Sequence, residues 1–141
     1  MQLFEKILVP LDGSEHSMRA LKQAVQIAKK FDGKITLIHV YTVSSFAITP
    51  TQVYKYVQAI REFAGSILEE GENIVKAEGV QVETLLKEGP TVENILETVT
   101  KGNFNLVVMG SRGLSKLKGI LMGSVSDGVT KHAPCPVLVV K

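Results

Sequence analysis

Residues 106–113 read LVVMGSRG, an apolar run of four residues that leads directly into a glycine-containing loop. Consecutive apolar residues are typical of a parallel strand, because helices cover both faces of such a strand and leave it no solvent side. Similar short runs recur along the whole chain. The predicted strands are residues 7–9, 35–38, 80–82, 106–109 and 137–140.

Helical periodicity separates these strands. It covers residues 18–31, 51–77 and 91–101, and a fourth helix is predicted from about Ser124. Asp32 and Gly33 supply the stop signal of the first helix. Gly65 and Gly71 predict a bend or break in the second, because glycine is a poor helix former.

Strands that alternate with helices require crossover connections, which are right-handed. The pattern therefore predicts a doubly wound α/β fold with a parallel sheet. A length of 141 residues suits one domain, which we assign to residues 1–141. In sheets of this kind, ligands bind beyond the carboxyl ends of the strands, where the strand order reverses.

Composition excludes several classes of protein. Sixteen Lys and Arg residues against fourteen Asp and Glu give a net charge of +2, which is too balanced to favour nucleic acid or anionic membrane as a partner. Only one cysteine, Cys135, is present, so no internal disulfide can form. The sequence shows neither a signal peptide nor an apolar run near the roughly 18 residues of a membrane span, and we expect a soluble, cytoplasmic protein.

The loop after the fourth strand carries the most specific motif. It reads Gly110-x2-Gly113-x9-Gly123-Ser124. Glycines can adopt positive φ and place no Cβ between backbone amides and a phosphate group. Ser124 and Asp127 predict a capping box, and the first turn of that helix predicts an anion site. The alternative is that these glycines serve tight turns only.

The chain resembles the universal stress protein family, in the branch that binds ATP. The resemblance rests on KILVPLDGS at residues 6–14, LIHV at 37–40, the glycine motif, and HAPCPVLVV at 132–140. Gly-x2-Gly-x9-Gly-Ser/Thr marks the nucleotide-binding branch, and this sequence matches it. The resemblance implies a Rossmann-like, adenine nucleotide alpha hydrolase-like fold. Its five-stranded parallel sheet would have the order 3-2-1-4-5, with helices on both faces.

The resemblance also implies a nucleotide site at positions that match the family motif. Residues at the ends of the first two strands would border the base and ribose: Pro10, Leu11, Asp12 and Val40. Residues of the glycine motif would surround the ribose and phosphates: Gly110, Arg112, Gly113, Gly123, Ser124 and Val125. Mg²⁺ or Mn²⁺ would be bound through the phosphates, without a protein metal site.

Two of these positions, Asp12 and Arg112, have alternative interpretations from the residues themselves. Asp12 precedes Gly13 and Ser14, so it is also a natural turn residue before the first helix. Ser14 is the predicted N-cap of that helix. Arg112 either reaches a phosphate or lies solvated at the surface. Gly128 departs from the family pattern, because relatives have a stronger helix former there.

Catalytic machinery is not evident in the sequence. It contains no Walker A lysine, and no Ser-His-Asp set, carboxylate pair or HExxH motif can be assembled. The leading hypothesis is an ATP-binding, nucleotide-dependent regulatory protein of the stress response, with little turnover and an unknown protein partner. The alternatives are a slow ATPase or autophosphorylating enzyme, and a nucleotide-free dimerisation module.

Two further predictions concern assembly and access. The strand at residues 137–140 is an apolar edge in the implied order, and such edges favour pairing with a second chain. We therefore expect a homodimer through the C-terminal strand, and the family resemblance implies the same contact. The Ser/Thr-rich segment at residues 44–50 is a hypothetical lid over the site.

Overall fold

The computed structural model describes residues 3–43, 49–112 and 122–141. These residues form strands and helices in the alternating order that the sequence predicts. The strands are β1 (Lys6–Pro10), β2 (Lys34–Tyr41), β3 (Val82–Glu88), β4 (Leu106–Gly110) and β5 (Val137–Val140). The helices are α1 (Glu15–Phe31), α2 (Pro50–Ala77), α3 (Thr91–Gly102) and α4 (Ser124–His132).

The five strands form one sheet in the order β3-β2-β1-β4-β5. All neighbouring pairs are parallel, with Ile7 opposite Ile35 and Leu8 opposite Val107. The predicted fold class and strand order are confirmed. Because β1 pairs with β2 on one side and with β4 on the other, the strand order reverses beside β1.

The core consists of two apolar layers, one on each face of the sheet. Alternate residues of β1 divide between them, as the pleat of a strand requires. Ile7 and Val9 join the layer that contains the buried side chains of α1 and α2. Leu8 joins the layer that contains Ile95 of α3 and Val129 of α4. Helices therefore cover both faces, which explains the uninterrupted apolar sequence of β1.

Both ends of α1 follow the sequence signals. The Ser14 side chain caps the helix by accepting a hydrogen bond of 3.1 Å from the Ser17 amide. Asp32 ends it in the left-handed conformation, at φ 53°. The N-cap and stop predictions for this helix are confirmed.

Two boundaries differ from the sequence predictions. β3 runs from Val82 to Glu88, so the strand predicted at 80–82 is placed too early. This edge strand carries exposed polar residues such as Glu83 and lacks an apolar run. The predicted break in α2 is also wrong, because the helix continues through both glycines. A Cβ on Gly71 would lie 2.6 Å from Leu11 Cδ1, so this glycine allows α2 to pack closely on the core.

Among the helices that the structure describes, none combines the length and apolarity needed to cross a lipid bilayer.

Candidate functional site

A cavity of about 300 Å³ opens at the carboxyl edge of the sheet, next to the reversal of strand order. This volume lies at the lower end of the range for small-molecule sites, about 300–1,000 Å³. Nine of the ten predicted site residues line it: Pro10, Leu11, Asp12, Val40, Gly110, Arg112, Gly123, Ser124 and Val125. The tenth, Gly113, lies outside the described residues, as do Lys116 and Lys118 of the motif's spacer.

The turn after β1 is held in place by β2. The Leu11 amide donates to the carbonyl oxygen of Ile38 at 2.8 Å. His39 Nδ1 lies 2.7 Å from the carbonyl oxygen of Leu11, and since a carbonyl can only accept, the ring nitrogen donates. Both backbone groups of Leu11 are thus fixed, and they set the position of Asp12. His39 was not among the predicted site residues; its polarity at the end of a buried strand was the available signal.

Asp12 combines the two roles that its sequence position allows. Its Oδ1 accepts a hydrogen bond of 2.9 Å from the Ser14 amide, which closes the turn into α1. The same side chain lines the cavity. The carboxylate has a second oxygen, Oδ2, which makes no hydrogen bond within the described part of the chain. Asp12 is therefore a turn residue that also presents an acceptor at the site.

The two halves of the glycine motif meet at Ser111. The Gly123 amide donates to the Ser111 carbonyl oxygen at 2.6 Å, and the buried Ser126 hydroxyl donates to the same oxygen at 2.9 Å. These bonds join the end of β4 to the start of α4. Gly110 and Arg112 consequently line the same cavity as residues 123–125, although the ten residues 113–122 separate the two segments in sequence.

No side chain within the described residues caps the N-terminus of α4. Gly123 is the N-cap, at φ −74° and ψ 167°. The first amides of a helix have no intrahelical partner, and the helix dipole adds partial positive charge there. The predicted Ser124–Asp127 capping box is wrong, because Ser124 is already the first helical residue and Asp127 pairs with Lys131 at 3.1 Å. The end is consequently available to an anion.

Glycine serves close packing at the first motif position. A Cβ on Gly110 would lie 2.7 Å from the carbonyl carbon of His16 and 2.9 Å from the Ser17 nitrogen. Gly110 and Gly123 do not use the positive φ that glycine allows, since the described glycines with positive φ are Gly13, Gly79 and Gly89. Gly110 therefore brings the end of β4 against the first turn of α1.

Sequence reasoning missed seven residues that line the cavity. They are Ser17, Ile38, Thr91, Ile95, Met109, Met122 and Ser126. Ile38, Ile95 and Met109 give the cavity an apolar lining, and all three also belong to the core of the α3 and α4 face. Thr91 could have been found, because it begins α3 just beyond the carboxyl end of β3, where site residues are expected.

Histidine and acidic residues do not cluster at a metal site in the residues described. No group of three or more His, Cys, Asp or Glu side chains within 3–43, 49–112 and 122–141 could hold a metal ion. His132, the last residue of α4, lies with its Nδ1 2.9 Å from the Gly128 carbonyl oxygen.

A doubly wound parallel sheet with a cavity at its switch point is the architecture of a Rossmann-like α/β domain. Residues 3–141 match the model of the universal stress protein family. The chain belongs to that family.

Individual relatives agree with this assignment. Universal stress protein MJ0531 of Methanocaldococcus jannaschii is 38% identical over 99% of this chain and 83% of its own length. A universal stress protein family member from Arabidopsis thaliana, solved with AMP bound, is 28% identical with a TM-score of 0.74, covering 97% of this chain and 91% of the other. A universal stress protein solved in complex with cAMP is 28% identical with a TM-score of 0.72, covering 99% and 98%.

Proposed function

We propose that this chain binds an adenine nucleotide in the carboxyl-edge cavity and acts as a nucleotide-dependent regulatory protein of the stress response. The observation that carries the proposal is the meeting of residues 110–112 and 123–125 beside the uncapped N-terminus of α4. We assign the whole of residues 1–141 to this one functional domain and expect it in the cytoplasm.

The cavity lining suits the two chemically different ends of a nucleotide. Apolar side chains, among them Ile38, Val40 and Ile95, suit a purine base, which is flat and largely apolar. The amides of Ser124 and Val125 at the start of α4 suit phosphate oxygens, with Arg112 as a cationic neighbour. In this arrangement Asp12 accepts a hydrogen bond from the ribose hydroxyls, away from the phosphates.

Relatives support the adenine class of ligand. The Arabidopsis protein was solved with AMP and another family member with cAMP, and both share the fold over nearly the whole chain. Preference for ATP rests on the glycine motif alone. A bound triphosphate would bring Mg²⁺ or Mn²⁺ with it, coordinated mainly by its own oxygens.

Low turnover follows from the kind of groups in the cavity. Within the described lining, Asp12 and Arg112 are the charged side chains, and the remaining contacts come from amides, hydroxyls and apolar groups. Such groups stabilise phosphate charge that exists before any reaction, so they tighten binding without accelerating hydrolysis. We therefore propose a protein that holds nucleotide as a signal for a partner, with slow ATP hydrolysis or autophosphorylation as the second candidate.

A homodimer through β5 forms part of this proposal. β5 is the last strand of the sheet, and its Leu138 side chain is 39% exposed. Two copies can pair these edges about a two-fold axis, which gives a closed assembly. The hypothetical lid at residues 44–50 falls largely on residues 44–48, outside those described.

Native mass spectrometry of gently purified protein tests the proposal. Retained ATP or AMP supports nucleotide binding, and ADP with released phosphate supports the slow enzyme. Protein that retains no nucleotide and shows no heat of binding with added ATP, ADP or AMP would instead support the nucleotide-free dimerisation module.

A further inference from the structure

A second cavity, of about 400 Å³, lies beside α3 on the face of the sheet that α3 and α4 cover. We call it the basic groove. Its charged lining consists of Lys6, Lys34, Lys87, Lys101, Glu83 and Glu97. Four lysines against two glutamates leave a formal excess of two positive charges. None of these residues lines the carboxyl-edge cavity.

The strand register concentrates positive charge at one end of this groove. Lys6 of β1 and Lys34 of β2 are direct neighbours across the parallel pair. Like charges directly opposite each other destabilise a sheet. Lys6 partly compensates by donating to the carbonyl oxygen of Gly102, the last residue of α3, and its ammonium lies 5.1 Å from the ring centroid of Phe104.

The glutamates neutralise only part of this charge. Lys34 pairs with Glu83 at 2.6 Å and Lys101 with Glu97 at 2.8 Å. Lys87 has no salt bridge within the part of the chain that the structure describes. Hydrogen bonding to Lys34 lowers the pKa of Glu83, with a smaller contribution from Lys6, so both cations act on the same region.

Thr36 gives the groove a polar floor. It lies on β2 two residues after Lys34, so both side chains project from the same face of the sheet. Thr36 is 95% buried, at 5% exposure, and it lines the groove. Among the described residues, no fully buried side-chain oxygen or nitrogen lacks a hydrogen-bond partner, and no bond is made by the Thr36 hydroxyl, so this oxygen is open to the groove. A hydroxyl in that position can donate a hydrogen bond to a ligand in the groove.

We propose that the basic groove binds a phosphate-type oxyanion, held by the Thr36 hydroxyl and by the lysines around it. Lysine binds phosphate as a point charge, and a hydroxyl adds a short directional bond. A dianion between Lys6 and Lys34 would also remove the repulsion across the β1–β2 pair. This site is independent of the proposed nucleotide site, and it can be occupied whether or not that proposal holds.

Amide NMR of the ¹⁵N-labelled full chain, titrated with inorganic phosphate at constant ionic strength, tests the proposal. Saturable shifts are expected for residues 34–37 and 82–85. Phenyl phosphate is the second probe, since its ring can contact Phe104. Tighter binding of phenyl phosphate would indicate an esterified ligand, and equal binding a free anion. Shifts that do not saturate, or that saturate only at residues 123–125, would overturn the proposal.

Matched variants of Thr36 distinguish the loss of its hydroxyl group from a change in side-chain shape. Thr36→Val removes the donor, and affinity is expected to fall about tenfold, while Thr36→Ser keeps the donor and retains binding. Lys87→Gln breaks no salt bridge of the described chain and is expected to weaken binding two- to threefold, roughly the effect of one exposed charge. Unchanged phosphate affinity in both Thr36→Val and Lys87→Gln would refute the site. If Thr36→Val does not fold, unchanged affinity in Lys87→Gln is enough to refute it.

Discussion

The end of β4 and the first turn of α1 are in such close contact that a Cβ on Gly110 would lie 2.7 Å from the carbonyl carbon of His16. The atoms concerned are backbone, which cannot move aside as the end of a flexible side chain can. Gly110, the first glycine of the motif, is therefore required for the sheet to pack against α1. Loss of this glycine affects the fold before it affects any ligand.

Gly110→Ala is accordingly expected to destabilise the protein by about 1–3 kcal/mol, the usual effect of overpacking. Gly65→Ala is the matched control, because a Cβ there meets nothing within 4 Å and alanine favours helix by about 1 kcal/mol. Urea unfolding of both variants measures the two changes. A Gly110→Ala variant as stable as the unmodified protein would contradict the close contact.

Gly123→Val is expected to abolish nucleotide binding while leaving the fold intact. The backbone at Gly123 has φ −74°, which valine can adopt, so the effect comes from the side chain added where phosphate is proposed to bind. Gly123→Ala is expected to be intermediate. Isothermal titration with ATP, together with circular dichroism, measures both properties. Equal affinity in all three proteins would remove the glycine motif from the site.

Nucleotide hydrolysis is expected to be far slower than the roughly 1–100 s⁻¹ of kinases. The groups proposed to contact phosphate are amides at a helix N-terminus, which stabilise the ground state and transition state alike. Steady-state phosphate release measures this, and the Gly123→Val variant controls for contaminating enzymes. Turnover at kinase rates that disappears in the variant would identify an enzyme.

Disruption of the β5 edge is expected to give a monomer. Leu138→Lys places a charge on an exposed position of the proposed dimer edge, where lysine is known to discourage pairing. Sedimentation at micromolar concentration compares this variant with Lys22→Ala, an exposed change on α1. A monomer in the unmodified protein, or a dimer that survives the removal of residues 137–141, would rule out this interface.

Cys135 is expected to react slowly with alkylating agents near neutral pH, because burial raises the pKa of its thiol above the ordinary value. The same shift makes the folded state bind a proton more tightly than the unfolded state. Its contribution to stability is therefore fully present below the ordinary cysteine pKa and is lost as the pH rises through the raised pKa of the folded state. Urea unfolding between pH 8 and 10 is expected to show a steeper loss in the unmodified protein than in Cys135→Ala. An equal loss of stability with pH in the two proteins would contradict the raised pKa of Cys135.

The sequence predicted the buried parts of this molecule better than its edges. β1 and β4 are buried on both faces, so their apolar runs marked them clearly. β3 is an edge strand with exposed polar side chains such as Glu83, and its limits were misplaced. The site residues at strand ends were found by motif. Ser17 was not found, because only the packing of α1 brings it to the cavity. Thr91 was also missed, although its place after β3 was a usable signal.

The local capping signal was correct for α1 but wrong for α4. Ser124 and Asp127 have the spacing of a capping box, yet the Ser126 hydroxyl bonds to Ser111 and Gly123 takes the N-cap position. A long-range contact from β4 thus decided a feature that looked local. No pattern in the neighbouring residues could reveal that contact.

The bond from the Gly123 amide to the Ser111 carbonyl has a further consequence, which concerns entropy. Bringing two distant points of a chain together carries a loop-closure penalty that grows slowly with the number of residues between them. Here the folding of β4 and α4 closes that loop, whether or not a ligand is present. A ligand that binds beside this bond therefore does not bear the loop-closure penalty, so more of its interaction energy remains as affinity.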